Sequence, residues 1–430
     1  MTPRKYVPFI IGALLLAALL LIPFSRDANP TSVGKPDGKS NIQPAPGELV
    51  IDQLTEIYVN VSLPNSQFLQ LQDLNRNFMM KYPHIQVKLT NDPSNGHAYD
   101  EWVVQSEQGE AADIMLLDNG WVRPFAVRGF LKPADSMMTG DTLSDQMPGL
   151  LEPLKWNGYL WGVPRDVNPY VVVWSGSLLT EAGLKAPPND FGAYQAAAAR
   201  IIELHPEASI VNWSAGDLMQ QLIWLAAFDP NQSNLLNMQP LNEKQVAQLE
   251  WMQKMETYIS RFENSAVDQL TVSFQGNNLL AAIIPWDDYE NLSEGLRNKL
   301  VVDRENIYSP WLNGHSYAIS ANSEAEEEAM LWIKEITDVN NQQTTYDRSG
   351  QLPARASLYS FNSSLQTDQV QIPPAWWKKV LIAKREGNEM PLPDPMWPEK
   401  WQHREQMWKH FSEGTFQLTA YIESLKAQVD

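Results

Sequence analysis

Ala112-Asp113-Ile114-Met115-Leu116-Leu117-Asp118-Asn119-Gly120-Trp121 reads as a strand that ends abruptly in a polar turn carrying one aromatic ring. An apolar run capped by polar residues at its C-terminal end is where open α/β sheets place ligands. Upstream, Ile57-Tyr58-Val59-Asn60-Val61 is a short strand followed by the polar loop Ser62-Leu63-Pro64-Asn65. Phe68, Leu71, Leu74, Phe78 and Tyr82 then recur at helical spacing until Pro83 stops the helix, and Ile85, Val87 and Leu89 alternate as a second strand. Downstream, the turn Pro164 to Pro169 leads into a strand from Tyr170 to Trp174. The helix carrying Val246, Leu249, Met252, Met255 and Ile259 is amphipathic, and Leu279 to Ile284 is a continuous buried strand ending in Pro285-Trp286-Asp287-Asp288. Tyr317 to Ser320 is a further strand, followed by an acidic helix from Glu324 to Thr337. From Glu48 onward strands and helices alternate, which predicts α/β layers.

The chain has 430 residues, enough for two or three domains, and carries 32 Lys plus Arg against 51 Asp plus Glu, a net charge of −19. Phosphate binding needs clustered Lys and Arg, and no such run occurs, so nucleic acid is excluded as a partner. There is no cysteine, which removes disulfides, thiolate nucleophiles, thiolate zinc sites and any lipid carried on a cysteine. Tryptophan is abundant, 16 residues, and any functional reading has to place those rings.

Residues 1–24 read as an export element: Arg4 and Lys5 precede an apolar run from Val7 to Phe24. That run exceeds the ~7–15 residues of an ordinary signal peptide core and lacks a small-x-small cleavage site after it, so a signal anchor is favoured over a cleaved signal peptide. The basic residues would stay cytoplasmic, placing the rest on the extracellular face of the membrane. Residues 25–49, rich in Pro, Gly, Ser and Asn, read as a flexible tether.

Six scattered histidines show no metal-ligand spacing, and no nucleophile elbow, Walker loop or dinucleotide-binding glycine motif is present. No metal or cofactor is expected. Asp287 and Asp288 could suggest a glycosidase pair, but neighbours on an extended segment point in opposite directions, so the chain is read as a binder and not an enzyme. Among the tryptophans, Trp224, Trp251, Trp332 and Trp408 sit in helical patterns and read as core. Trp121, Trp286 and Trp311 follow strands and are flanked by polar residues. A sugar ring offers apolar C–H faces and a belt of hydroxyls, so it is held by an aromatic face beside carboxylates and amides. Asp118-Asn119-Gly120-Trp121, Trp286-Asp287-Asp288 and Trp311-Leu312-Asn313-Gly314 each offer both parts.

The order of these segments resembles the extracellular solute-binding proteins of ATP-driven importers, in the sugar-binding family that includes maltose-binding protein. The resemblance is carried by Ala112 to Asp118 with Gly129-Phe130-Leu131, by Trp156-Asn157-Gly158-Tyr159-Leu160-Trp161-Gly162-Val163-Pro164, and by Trp174 through Ala182-Gly183-Leu184. Ala281 to Trp286, Ser316 to Ala321, and Gly350-Gln351-Leu352-Pro353-Ala354-Arg355 complete it. It implies a two-lobed, periplasmic-binding-protein-like α/β fold of type II with the ligand cleft between the lobes, behind an N-terminal apolar helix. Lobe 1 would comprise residues 50–166 and 311–338, and lobe 2 residues 167–310 and 339–430, with crossings near Asp166, just before Trp311 and near Asp338. It further implies ligand contacts at Asn65, at Asp166, Asn168 and Tyr170 of the hinge segment, at Asn212 and Trp213, and at Trp401 in preference to Trp397. A monomer that captures a carbohydrate, an oligosaccharide by expectation, through closure and delivers it to the permease subunits of an ABC importer is the expected function. The alternatives are an anchored sugar-sensing ectodomain serving a signalling protein, a binder of a non-sugar solute, and a secreted carbohydrate-active enzyme. Relatives in monoderm bacteria are held by a lipid on a cysteine; here the tether and apolar helix would take that role.

Overall fold

Parallel strands open the fold in the computed structural model, which describes residues 54–93, 98–138, 140–228, 235, 239–262, 267–305, 307–360, 371–382 and 395–427. β1 (Thr55–Val61) pairs in parallel with β2 (Ile85–Asn91) and with β3 (Ile114–Asp118). Alternation in β1 turns Ile57, Val59 and Val61 inward. In β3 the residues Ile114 to Leu117 are all buried, as a strand covered on both faces must be.

After a tight hairpin, β4 (Lys155–Trp156) and β5 (Tyr159–Leu160), the chain enters β6 (Val163–Val167). The hairpin turns on Asn157 and Gly158, at φ 50° and 82°, the left-handed pair that a two-residue hairpin loop requires. β7 (Tyr170–Ser175), the short parallel pair β8 (Val211–Asn212) and β9 (Ile259–Ser260), β10 (Ala281–Pro285) and β11 (Leu300–Val302) lie in the second half of the molecule. β12 (Gly314–Ile319) returns to the first sheet, and β13 (Leu352–Pro353) closes its edge. The two main sheets are β13-β6-β12-β3-β1-β2 and β10-β7-β11. The first mixes parallel and antiparallel pairs, since β12 runs antiparallel to both β3 and β6.

Each sheet has its own core. Helix Asn65–Lys81 contributes Leu71 and Phe78 to the first, and helix Glu326–Ile336 contributes Trp332 and Ile333. In the second sheet strict alternation separates two clusters: Val172, Trp174, Ala281 and Ile283 face one, while Val171, Val173, Ala282 and Ile284 face the other. Trp224 and Trp408 are buried in the former and Trp332 in the first-sheet core, as their helical spacing predicts. Trp251, the fourth ring of that set, is only partly buried, against the core that holds Trp224.

The chain passes from the first sheet to the second at Asn168-Pro169, between β6 and β7, and returns between β11 and β12. The two passages are tied together: the Asn168 amide N–H donates to the Asn313 carbonyl at 2.6 Å, and the Asn313 side-chain amide donates to the Asn168 carbonyl at 2.6 Å. β13 falls in the segment 339–430 that the resemblance assigns to the second lobe, yet Leu352 and Pro353 pair with Val167 and Asp166 of β6. Pro353 has no N–H to donate and so suits the edge of the first sheet.

Helix Trp397–Ser412 spans both halves. Trp408 and Phe411 are embedded in the second-half core, while Glu399 pairs with Arg128 and accepts from the Tyr99 hydroxyl on the first-sheet side. Among the described residues no helix is long and apolar enough to cross a membrane. The expected apolar helix, 1–24, and tether, 25–49, lie outside the described residues.

Candidate functional site

A cavity of about 860 Å³ opens where the ends of the strands from both halves converge. The first sheet supplies Asp118, at the end of β3, with Gly120 and Trp121 from the start of the helix Asn119–Val127 that follows. The second half supplies Tyr170 at the start of β7, the loop Ser214 to Asp217 after β8, Phe262, and Pro285 at the end of β10 with Asp288 beyond it. Leu312 and Asn313 come from the returning passage, and helix Trp397–Ser412 lays Trp397, Trp401, Gln402 and Glu405 along the opening.

Trp397 and Trp401 stand one above the other, ring centres 5.0 Å apart. Trp397 is seated directly on the backbone of Gly120, where an added Cβ would lie 2.5 Å from the indole ring; glycine is what allows the helices Asn119–Val127 and Trp397–Ser412 to approach this closely. Trp121 is braced edge-on by Tyr99 and Trp102, at 5.3 and 6.2 Å. The Tyr170 hydroxyl donates to Asp217 at 3.0 Å. The other oxygen of Asp217 caps helix Leu218–Ala227 by accepting from the Gln220 amide at 3.1 Å.

Electrostatically the cavity is one-sided. Asp118, Asp217, Asp288 and Glu405 line it, and no Lys, Arg or His is among the described lining residues. Burial raises the Asp217 carboxyl, although its bonds from Gln220, Tyr170 and Met219 pull the other way. Burial, reinforced by Asp287, lifts Asp288 to about 6. Burial and the neighbouring Asp217 lift Glu405 to about 7. Behind Asp118, His315 on β12 is held between two carboxylates, 2.8 Å from Asp166 and 3.6 Å from Asp118. Burial alone would depress the imidazole, but Asp166 and then Asp118 raise it above 6.5. Burial likewise opposes ionisation of Asp166, but Arg165 and His315 outweigh it and hold the acid below 3.8. For Asp118 burial prevails over the pull of His315, and its carboxyl is raised.

Of the residues expected at the site, Asp118, Trp121, Tyr170, Asn212 and Trp401 are brought together on this cavity. Asn212 is nevertheless committed to the scaffold: its side chain accepts from the Ile283 amide at 2.7 Å and donates to the Ile283 carbonyl at 3.3 Å. Four others lie behind the lining and orient it. Asn119 donates to the Trp311 carbonyl at 2.9 Å and accepts from the Ser316 hydroxyl at 2.6 Å. The Asn168 side chain accepts from the Asp287 amide at 3.0 Å. Asp287 in turn accepts from the Asp288 amide at 2.9 Å, and Asp166 holds His315.

Two expected stacking rings, Trp286 and Trp311, and an expected ligand contact, Trp213, are not among the lining residues. Trp286 is 1% exposed and wedged among Tyr289, Trp376 and Trp377, with centres 4.9 to 5.6 Å apart. Trp311 is equally buried, and Trp213 packs on Trp408 at 4.7 Å. Their polar sequence neighbours, Asp288, Asn313 and Ser214, reach the cavity while the indoles turn back into the core. Asn65 opens helix Asn65–Lys81 at an exposed position and does not line the cavity.

Sequence reasoning missed Asp217 and Glu405, placed Asp288 in the sugar-holding segment Trp286-Asp287-Asp288 but took Asp287 from it as the ligand contact, and preferred Trp401 to Trp397. A signal was there: Trp397, Trp401 and Glu405 recur every four residues, which puts them on one helix face. Asp217 looks in sequence like any N-cap residue. Among the described residues no group of His, Asp and Glu could hold a metal ion.

Residues 74–380 match the family model of the bacterial extracellular solute-binding proteins. A Brucella abortus (strain 2308) protein that bears the name of a binding protein is 26% identical over 99 residues, 23% of this chain; the match spans 24% of that relative's length. Several solved structures are similar in fold. Maltose-bound MalE3 of T. maritima has 16% identity and a TM-score of 0.66, covering 87% of this chain and 98% of that one. The sugar-binding protein MalE of Xanthomonas citri has 17% identity and a TM-score of 0.65, covering 87% and 96%. The GacH receptor of Streptomyces glaucescens, solved unliganded and with acarbose, has 17% identity and a TM-score of 0.63, covering 87% and 97%.

Proposed function

This chain belongs to the family of bacterial extracellular solute-binding proteins, and on that premise we propose that it is exported, captures a carbohydrate in the cavity between its two halves, and delivers it to an ABC-type importer. One observation carries the reading. Trp121 from the first half and Tyr170, Trp397 and Trp401 from the rest of the chain present rings to the same space as Asp118, Asp217 and Asn313. Aromatic faces suit the C–H faces of sugar rings, and carboxylates and amides suit the hydroxyls at their edges. A volume of about 860 Å³ is at the upper end of the ~300–1,000 Å³ usual for small-molecule sites, which fits a ligand of more than one ring.

Capture works by closure. A ligand touching Asp118 and Trp121 on one side and Tyr170 and Asp217 on the other gains both sets of contacts only when the halves approach, so it shifts the population toward the closed arrangement. Helix Trp397–Ser412 is suited to report that closure, since one end is rooted beside Trp408 and the other meets Gly120 and Arg128. The structures bound to maltose and acarbose support this reading by fold alone.

The test is a thermal-shift screen of the full-length chain in mild detergent against mono- and oligosaccharides, followed by calorimetry on the hits. A ligand at 100 times its Kd should stabilise the folded state by about 2.7 kcal/mol. The expected result is a saturable one-to-one complex from which the sugar is recovered intact. Recovery of cleaved sugar would turn the reading to an enzyme, and a flat screen would remove the carbohydrate. Importer and sensor roles separate on whether permease genes or a kinase gene adjoin this one.

A further inference from the structure

Resting on the sugar-binding reading, we infer that the preferred ligand of this cavity is a saccharide that bears a protonated amine, held by Asp288 and Glu405 against the tryptophan faces. Every charged side chain on the described lining is a carboxylate. Two of the four already have partners: Asp217 accepts from Tyr170 and from the Gln220 amide, and Asp118 stands beside His315. The carboxylates of Asp288 and Glu405 receive no hydrogen bond and no ion pair from any described residue, although both are half-buried.

Half-buried, unpaired negative charge is costly, and the cost falls when a cation arrives. Here the neighbours make matters worse, because Asp287 lies close to Asp288 and Asp217 lies close to Glu405. Both acids are accordingly raised, to about 6 and about 7, and an ammonium group would reverse that pressure. A neutral sugar could satisfy these oxygens with hydroxyl donors, but it would leave the repulsion between the acids in place. Trp401, one helical turn before Glu405, and Trp397 before it add π faces that also attract cations. Charge, ring faces and cavity size therefore point to one chemistry: a polyhydroxylated ring with an amine where an ordinary sugar has a hydroxyl or a glycosidic oxygen.

The experiment compares matched pairs by calorimetry on the full-length chain: glucosamine with glucose, glucosamine oligomers with cello-oligosaccharides of equal length, and acarbose with maltotetraose. Spermidine is included as an amine without a sugar ring. The expected result is at least tenfold tighter binding of the amine member in a pair that binds. That ratio should collapse toward one in Asp288→Asn and Glu405→Gln, whose amides keep the shape and remove the charge. Circular dichroism melts establish that both variants fold. If the hydroxyl member binds as tightly as its amine partner in every binding pair, the inference is overturned and the sugar-binding reading stands. If the variants keep the amine preference, these two residues are not its source and the inference is likewise overturned. Binding of spermidine with no binding of any saccharide would overturn both readings together, as would binding of nothing in the panel.

Discussion

Replacing Trp286 by alanine distinguishes a core ring from a ligand ring. Its side chain is 1% exposed and packs against Tyr289, Trp376 and Trp377. Its indole nitrogen has no hydrogen-bond partner among the described residues, so the cost is that of lost contacts and the space left behind. Large-to-small changes at buried Trp or Phe cost about 3–5 kcal/mol. An unfolding entropy of about 2.1 cal/mol/K per residue gives roughly 0.8 kcal/mol/K for a cooperative unit of roughly 380 residues, so Tm should fall by about 4–6 °C. The assay is calorimetric melting of the wild type and Trp286→Ala, with ligand affinity measured well below both transitions. Trp401→Ala is the control, because its ring lines the cavity: it should raise Kd at least fivefold with a smaller loss of Tm. If Trp286→Ala leaves Tm within 1 °C of wild type and abolishes binding, the burial argument is refuted and the indole belongs to the ligand site.

Gly120→Ala places a methyl group 2.5 Å from the Trp397 ring, an overpacking that should cost about 1–3 kcal/mol; it should weaken ligand binding and change the intrinsic fluorescence, and an unaltered emission spectrum would contradict the seating of Trp397 on this turn. His315, raised above 6.5 by Asp166 and Asp118 against the opposing effect of burial, contributes stability that is fully present below pH 6.5 and lost as pH rises through its higher folded pKa. His315→Gln should therefore flatten the decline in Tm on the alkaline side of pH 6.5, and an NMR titration placing the imidazole below 6.5 would reverse the sign.

Much of the fold was legible because it rests on local periodicity. The alternation of Ile57, Val59 and Val61, the unbroken run Ile114 to Leu117 and the helical spacing of Leu71 and Phe78 each report burial through side chains at most two helical turns apart. The passage between the sheets is marked in the sequence by Asp166, Asn168 and Tyr170, which flank the point where the chain leaves β6 for β7. The site was harder to read, for a reason visible at Trp286 and Trp311. In both, the residues that follow reach the cavity, whereas the indole turns into the core. Which way a strand-end ring turns depends on what packs beneath it, for Trp286 the rings Trp376 and Trp377 from a helix some ninety residues downstream. Glu405 and Asp217 were invisible for the complementary reason: a polar residue on a helix face or at an N-cap is ordinary until another element closes a cavity over it.

By itself the sequence determined the α/β class, the absence of cysteine chemistry, the acidic charge and the run of segments that places the chain in its family, because composition and period are properties of neighbouring residues. The tertiary structure alone decided which of the tryptophans face the cavity, that helix Trp397–Ser412 bridges the two halves, and that four carboxylates share one space without a lysine or arginine on the described lining. Those facts depend on distances between residues far apart in the chain, which only packing sets.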